Sequence, residues 1–123
     1  MINQVAMEPL CRIRDIFRSI NDFENQFQEK YGICLNEGML LCTISKIGKC
    51  SSGKIADELG LTSSNASKVI VSMEKKGLIE RIVGEEDRRQ MHFILTEKGR
   101  KSLESFKCDS EEILSVIERI KEM

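Results

Sequence analysis

One change of period constrains this chain more than any other feature. Up to Gly77 the apolar residues recur at helical spacing. After it, Leu78, Ile79, Ile82 and Val83 lead into the charged, turn-like Gly84-Glu85-Glu86-Asp87-Arg88-Arg89. Met91-His92-Phe93-Ile94-Leu95 follows, rich in strand formers. Two short strands around a charged loop make a hairpin, and helical patterns flank it on both sides. The chain is therefore expected to be mainly α with a small β element.

The helical patterns have readable ends. Ser51 to Gly60 reads as a short helix with hydroxyl caps, an inner face of Ile55, Ala56 and Leu59, and a terminal glycine. Leu61-Thr62 makes one turn, and a further helix runs from about Ser63 to Lys76 with Ala66, Val69, Ile70 and Met73 inside. Upstream, Asn36 can cap a helix from Glu37 to Ile47, stopped at Gly48. Earlier still, Leu10, Ile13, Phe17, Ile20 and Phe27, widened by Ile16 and Phe23, mark one long helix that starts near Pro9 and stops at Gly32. Downstream, Thr96 caps a helix that continues to about Cys108, and Asp109 and Glu112 have the spacing of a capping box. The last helix would bury Ile113, Leu114, Val116, Ile117 and Ile120. Helix, helix, short helix, tight turn, helix, charged hairpin, helix is the order of a winged helix–turn–helix with helical extensions. The expected division is 1–32, 33–100 and 101–123.

Composition limits the function classes. The 123 residues suit one domain, or one small domain with appended helices, and 41% hydrophobic content is enough for a core. No run approaches the roughly 18 apolar residues of a membrane span, and no basic start precedes an apolar stretch, so the cytoplasm is the expected location. A net charge of −1 argues against a polyanionic partner until its distribution is considered. Between Lys46 and Lys101 lie twelve basic and eight acidic residues, an excess of four positive charges, while the flanks carry an opposite excess of five. A basic middle between acidic ends suits a central phosphate-facing module. The odd set of cysteines, Cys11, Cys34, Cys42, Cys50 and Cys108, contains no CxxC pair and reads as small buried thiols in a reducing compartment, not as a metal site.

The helix after Leu61-Thr62 has an outer side of Ser63, Ser64, Asn65, Ser67, Lys68 and Ser72. Hydroxyls, an amide and a cation can donate to and accept from base edges in a major groove, and small side chains permit close approach. Ser63 and Ser64, at the helix start, can also hold phosphate. The plainer reading is a solvated, serine-rich face. In the hairpin, Asp87 paired to Arg89 would hold the guanidinium extended for a narrow minor groove, with Arg88 turned to phosphate or groove. The plainer reading there is a surface ion pair worth under about 1 kcal/mol.

These residues resemble the MarR family of regulators. The stretches that carry the likeness are Leu59-Gly60-Leu61-Thr62-Ser63-Ser64-Asn65-Ala66-Ser67-Lys68 and Met73-Glu74-Lys75-Lys76-Gly77-Leu78-Ile79-Glu80-Arg81. Asp87-Arg88-Arg89 and Leu95-Thr96-Glu97-Lys98-Gly99 resemble the family's wing and the motif that follows it. The resemblance spans about residues 33 to 100. It implies a homodimer held by the first and last helices, a pseudo-palindromic duplex-DNA operator, one reader helix per half-site and wings in the flanking minor grooves. It also implies repression relieved by an oxidant or by a small molecule, such as an aromatic acid, with no cofactor. Ser64, Asn65, Ser67 and Lys68 become the base-side candidates, Arg89 the wing candidate and Asp87 its orienter. Cys11, on the first helix, is a candidate redox sensor, although Tyr31 is the only tyrosine in the chain.

Other classes fare worse. There is no glycine-rich phosphate loop, nucleophile elbow or cysteine–histidine pair with an orienter, so no enzyme is expected. His92, next to Phe93 and without a second histidine, reads as wing packing. The serious rival is a winged helix used only for protein contact. Such a module would tend to lose its wing cations and carry apolar residues on the reader helix, whereas Lys68, Arg88 and Arg89 are all present here.

Overall fold

The computed structural model describes residues 4–84 and 89–122. They form two compact units, one of residues 4–34 and 108–122, the other of residues 35–84 and 89–107.

The larger unit contains α2 (Leu35–Ile47), β1 (Cys50–Ser51), α3 (Ser52–Leu59), α4 (Ser63–Lys75), β2 (Ile79–Val83), β3 (Met91–Leu95) and most of α5 (Glu97–Cys108). Its core is built from one face of each element. Leu40, Leu41, Ile44, Ile55 and Met73 are fully buried, joined by Ile79, Phe93 and Leu95 from the strands. Each such aliphatic side chain contributes about 1.5–3 kcal/mol relative to exposure. The strands form an antiparallel sheet in the order β1-β3-β2, with Ile79 opposite Leu95, Arg81 opposite Phe93 and Val83 opposite Met91. The hairpin matches the sequence expectation; the third strand does not. β1 is two residues long, pairing Cys50 with Phe93 and Ser51 with His92, too short for any period to reveal.

The turn between α3 and α4 follows from its caps. The Ser51 hydroxyl accepts the Lys54 N–H and the Thr62 hydroxyl accepts the Asn65 N–H. Between them Gly60 ends α3 at φ +66, a left-handed conformation that costs a glycine little. Upstream, α2 begins at Leu35, so Asn36 lies inside the first turn and is not its cap.

The Leu95-Thr96-Glu97-Lys98-Gly99 stretch is a lock. The Thr96 hydroxyl accepts the Gly99 N–H at 3.0 Å and donates to the Gly77 carbonyl at 2.7 Å. The Thr96 N–H donates to the Leu78 carbonyl at 3.1 Å, and Lys98 Nζ donates to the Lys76 carbonyl at 2.8 Å. One residue thus caps α5 and ties its start to the turn that leaves α4.

The smaller unit consists of α1 (Gln4–Tyr31) and α6 (Ser110–Glu122) with their flanking residues. Because α1 begins at Gln4, Pro9 falls in its second turn, where its missing N–H removes one backbone bond. Phe23, Phe27 and Tyr31 stack along α1, with centroids 5.9 Å and 4.7 Å apart. α6 begins at Ser110, directly after Asp109, where the spacing of Asp109 and Glu112 placed a helix start, and both acids also reach α1. The Tyr31 hydroxyl donates to Asp109, and Lys30 Nζ lies 3.1 Å from a carboxylate oxygen of each acid. Much of the apolar stripe stays exposed: Leu10, Ile13 and Phe17 are 69%, 59% and 65% exposed, and Leu114 and Ile117 on α6 are also open.

Candidate nucleic-acid interface

α4 is amphipathic in the sense needed to present a reading edge. Ala66, Ile70 and Met73, spaced four and three residues apart, are buried against the rest of the larger unit. Its N-terminal half turns Ser63, Ser64, Asn65, Ser67 and Lys68 to solvent. The Thr62 cap leaves further N–H groups of the first turn open toward whatever approaches that end. Ser72 departs from expectation: it is half-buried, and its hydroxyl donates at 2.7 Å to Glu37 on α2. In the second half of the helix Lys75 is the exposed polar side chain.

Beside α4 stands the hairpin. Asp87 and Arg88 lie outside the described residues. Arg89, at the foot of β3, is exposed. Ser67, Arg81 and Arg89 share the lining of an open groove of about 570 Å³ with Val71, Met91 and the start of α3. Arg81 was not singled out from the sequence. Its guanidinium lies 3.0 Å from Glu74 of α4 and 5.4 Å from the Phe93 ring centroid, so it stands extended from β2 against α4. The available signal was strand alternation: Ile79, Arg81 and Val83 share one face, and a cation between two apolar residues there calls for a partner. His92 lies on β3, opposite Ile82 and Ser51; its Nδ1 is buried and has no hydrogen-bond partner among the described residues.

The cysteines do not all behave as buried thiols. Cys50 is buried, Cys11 and Cys34 are half-buried and Cys42 is exposed. Desolvation pushes the Cys42 and Cys50 thiols up, away from the reactive thiolate. Among the described residues no group of three or more His, Cys, Asp or Glu side chains could hold a metal ion. No helix among them is long and apolar enough to cross a membrane.

This face is a helix edge with hydroxyls, an amide and a cation, next to a groove with two arginines. Such groups can follow the contour of a duplex and hydrogen-bond to its edges and phosphates.

The comparisons with known proteins agree with this geometry. The model of the MarR family matches residues 33–91. The HTH-type transcriptional regulator MhqR of Bacillus subtilis is 32% identical over 83 residues, 68% of this chain and 57% of MhqR. The transcriptional repressor MprA of Escherichia coli is 44% identical over 45 residues, 37% of this chain and 26% of MprA. The chain thus matches well under two thirds of the length of either relative. Among solved structures, the S. aureus MepR–DNA complex superposes with a TM-score of 0.73 at 26% identity, covering 85% of this chain and 78% of that one.

Proposed function

The chain belongs to the MarR family, and from that premise we propose that it is a sequence-specific transcriptional repressor that binds duplex DNA as a homodimer. The observation that carries the reading is the split of α4. Ala66, Ile70 and Met73 are turned inward, Val71 lies along the adjacent groove, and the exposed first half is made of Ser63, Ser64, Asn65, Ser67 and Lys68 beside an antiparallel hairpin. In this reading Ser64, Asn65, Ser67 and Lys68 meet base edges and Ser63 meets phosphate. Arg89, oriented by Asp87, enters the adjacent minor groove, and Arg88 contacts phosphate or groove. The solved MepR–DNA complex, a structural neighbour, supports the partner class.

Residues 33–100 act as the DNA-binding module, and 1–32 with 101–123 hold two chains together. The exposed stripe of Leu10, Ile13, Phe17 and Ile20 on α1, with Leu114 and Ile117 on α6, supports the second part. A two-fold dimer reads a pseudo-palindrome, one α4 per half-site. Acting on the chromosome, it works in the cytoplasm, and it needs no catalysis. Release from DNA follows when a small aromatic ligand, or oxidation at Cys11, favours a spacing of the two α4 helices that does not fit the operator. Such an effector must bind that state more tightly, because equal affinity for both states shifts nothing.

Selection of bound sequences from a random duplex pool, followed by anisotropy at two salt concentrations, tests the reading. It predicts an inverted repeat bound by two chains with a steep salt slope. If no sequence is enriched and binding stays weak at low salt, the winged helix is a protein-contact module instead.

A further inference from the structure

Glu37 is the one acidic or basic side chain among the buried residues described, 4% exposed in the first turn of α2. Its carboxylate accepts the Ser72 hydroxyl at 2.7 Å, and both of its oxygens accept from Lys76 Nζ, at 2.9 Å and 3.0 Å. Lys76 is gripped from the other side as well, since Lys98 of α5 donates to its carbonyl at 2.8 Å. The charges suit their places: a carboxylate at the start of α2 and an ammonium at the end of α4 each complement a helix dipole. Packing alone does not require them. An apolar side chain of similar volume would often fill such a site at equal or greater stability, because burying a carboxylate costs solvation that its partners only partly return. What directed hydrogen bonds add is a single orientation.

That orientation concerns the reading edge. Ser64, Lys68, Ser72 and Lys76 are spaced by four residues, so they form one ridge along α4 that drifts by roughly 40° per step. Ser64 and Lys68 on this ridge face solvent, whereas Ser72 is half-buried and Lys76, itself still exposed, reaches back toward α2, both held by Glu37. The grip and the reading edge are two ends of one row. A rotation of α4 by about 10° would carry a side-chain tip some 5–6 Å from the axis through about 1 Å. A good hydrogen bond tolerates a spread of only about 0.5 Å.

We propose that Glu37 is a positioning residue for sequence reading: by holding Ser72 and Lys76 it sets the rotation of α4, and so which base edges Ser64 and Lys68 reach. The inference rests on the DNA-binding reading above. It assigns to a buried residue, remote from the exposed half of α4, control over specificity and not over affinity for DNA in general.

The test compares the full-length chain with Glu37→Gln on the selected operator and on a random duplex, at one salt concentration and well below both melting temperatures. The expected result is a ratio of operator to random affinity at least tenfold lower, with random-duplex affinity within twofold of the parent. Glu37→Gln combined with Lys76→Gln restores a neutral contact across the same gap and should recover most of the ratio. A melting temperature that falls while the ratio stays unchanged makes Glu37 merely structural and overturns the inference. Should Glu37→Gln fail to fold, Ser72→Ala removes one arm of the grip; a lowered ratio supports the inference and an unchanged one overturns it. A parent chain that prefers no sequence removes the DNA-binding reading itself, and the inference with it.

Discussion

The backbone of Gly99 approaches Leu78 so closely that a Cβ built on the glycine would stand 2.1 Å from the Leu78 carbonyl oxygen. That oxygen cannot retreat freely, because it accepts the Thr96 N–H at 3.1 Å. Gly99→Ala must therefore push α5 away from the turn that follows α4 and loosen the Thr96 lock. The expected cost is about 1–3 kcal/mol, as for other overpacked sites. Thermal unfolding followed by circular dichroism checks it; a melting temperature equal to the parent's would contradict the contact.

Arg89→Ala should weaken operator binding by about 1–3 kcal/mol if the guanidinium reads the minor groove. Anisotropy at low and high salt separates the two ways it could act. A loss that persists at high salt marks groove reading, whereas a loss confined to low salt marks simple attraction to phosphate.

Arg81 has a separate role in this picture. Glu74 and the Phe93 ring hold it extended against the groove that also contains Arg89. Arg81→Met, which keeps much of the aliphatic stem, should weaken operator and random duplex by similar factors and lower the salt slope by about one. A change of preferred sequence would instead make Arg81 a base reader.

Tyr31 offers a direct spectroscopic reading, since it is the only tyrosine and the chain has no tryptophan. Desolvation, reinforced by the hydrogen bond to Asp109, pushes its phenol up to about 12 from 10.0. The native state thus favours the protonated phenol, so this contribution to stability is complete below about pH 10 and is lost as pH rises through about 12. Lys30 acts in the same direction, raised by its bonds to Asp109 and Glu112. Asp109 has the opposite sign: the Tyr31 hydroxyl and Lys30 lower it, so its contribution is present above the ordinary carboxylate range and fades as pH falls through the lowered value. Titration of tyrosinate absorbance should give a midpoint near 12 in the folded chain, and Asp109→Asn should lower it part of the way, since desolvation remains. An unchanged midpoint in that variant would remove Asp109 as a cause.

Phe17 is 65% exposed in the middle of the α1 stripe. If this stripe joins two chains, Phe17→Asp should raise the dimer dissociation constant by roughly a hundredfold or more, since about 1.5–3 kcal/mol is lost for each copy. Sedimentation equilibrium at micromolar concentration reads the result. A variant that stays dimeric moves the interface elsewhere.

Local patterns in the chain were sufficient for its helices, its hairpin and their order. The four- and three-residue spacing of Ala66, Ile70 and Met73 makes α4 amphipathic, and Thr62 caps it wherever the helix packs. Strand formers on either side of a charged turn make the hairpin of β2 and β3. Periodicity and capping act within a few residues, so they can be read without knowing the fold. The exposed serines, Asn65 and Lys68 follow by subtraction, once the apolar side of α4 is known.

Other features depended on which distant segments meet. Ser72 shares the polar side of α4 in the sequence, yet Glu37, 35 positions away, draws its hydroxyl inward. Asp109 and Glu112 have a local capping spacing, but Tyr31 and Lys30, 78 to 82 positions earlier, take up their carboxylates. β1 exists only because β3 offers it an edge, and Gly99 is required only because α5 starts against Leu78. In each case a polar or small residue has several local uses of similar energy. Packing of the core brings one distant partner within hydrogen-bonding range, and a buried polar group left without it would cost about 1–3 kcal/mol.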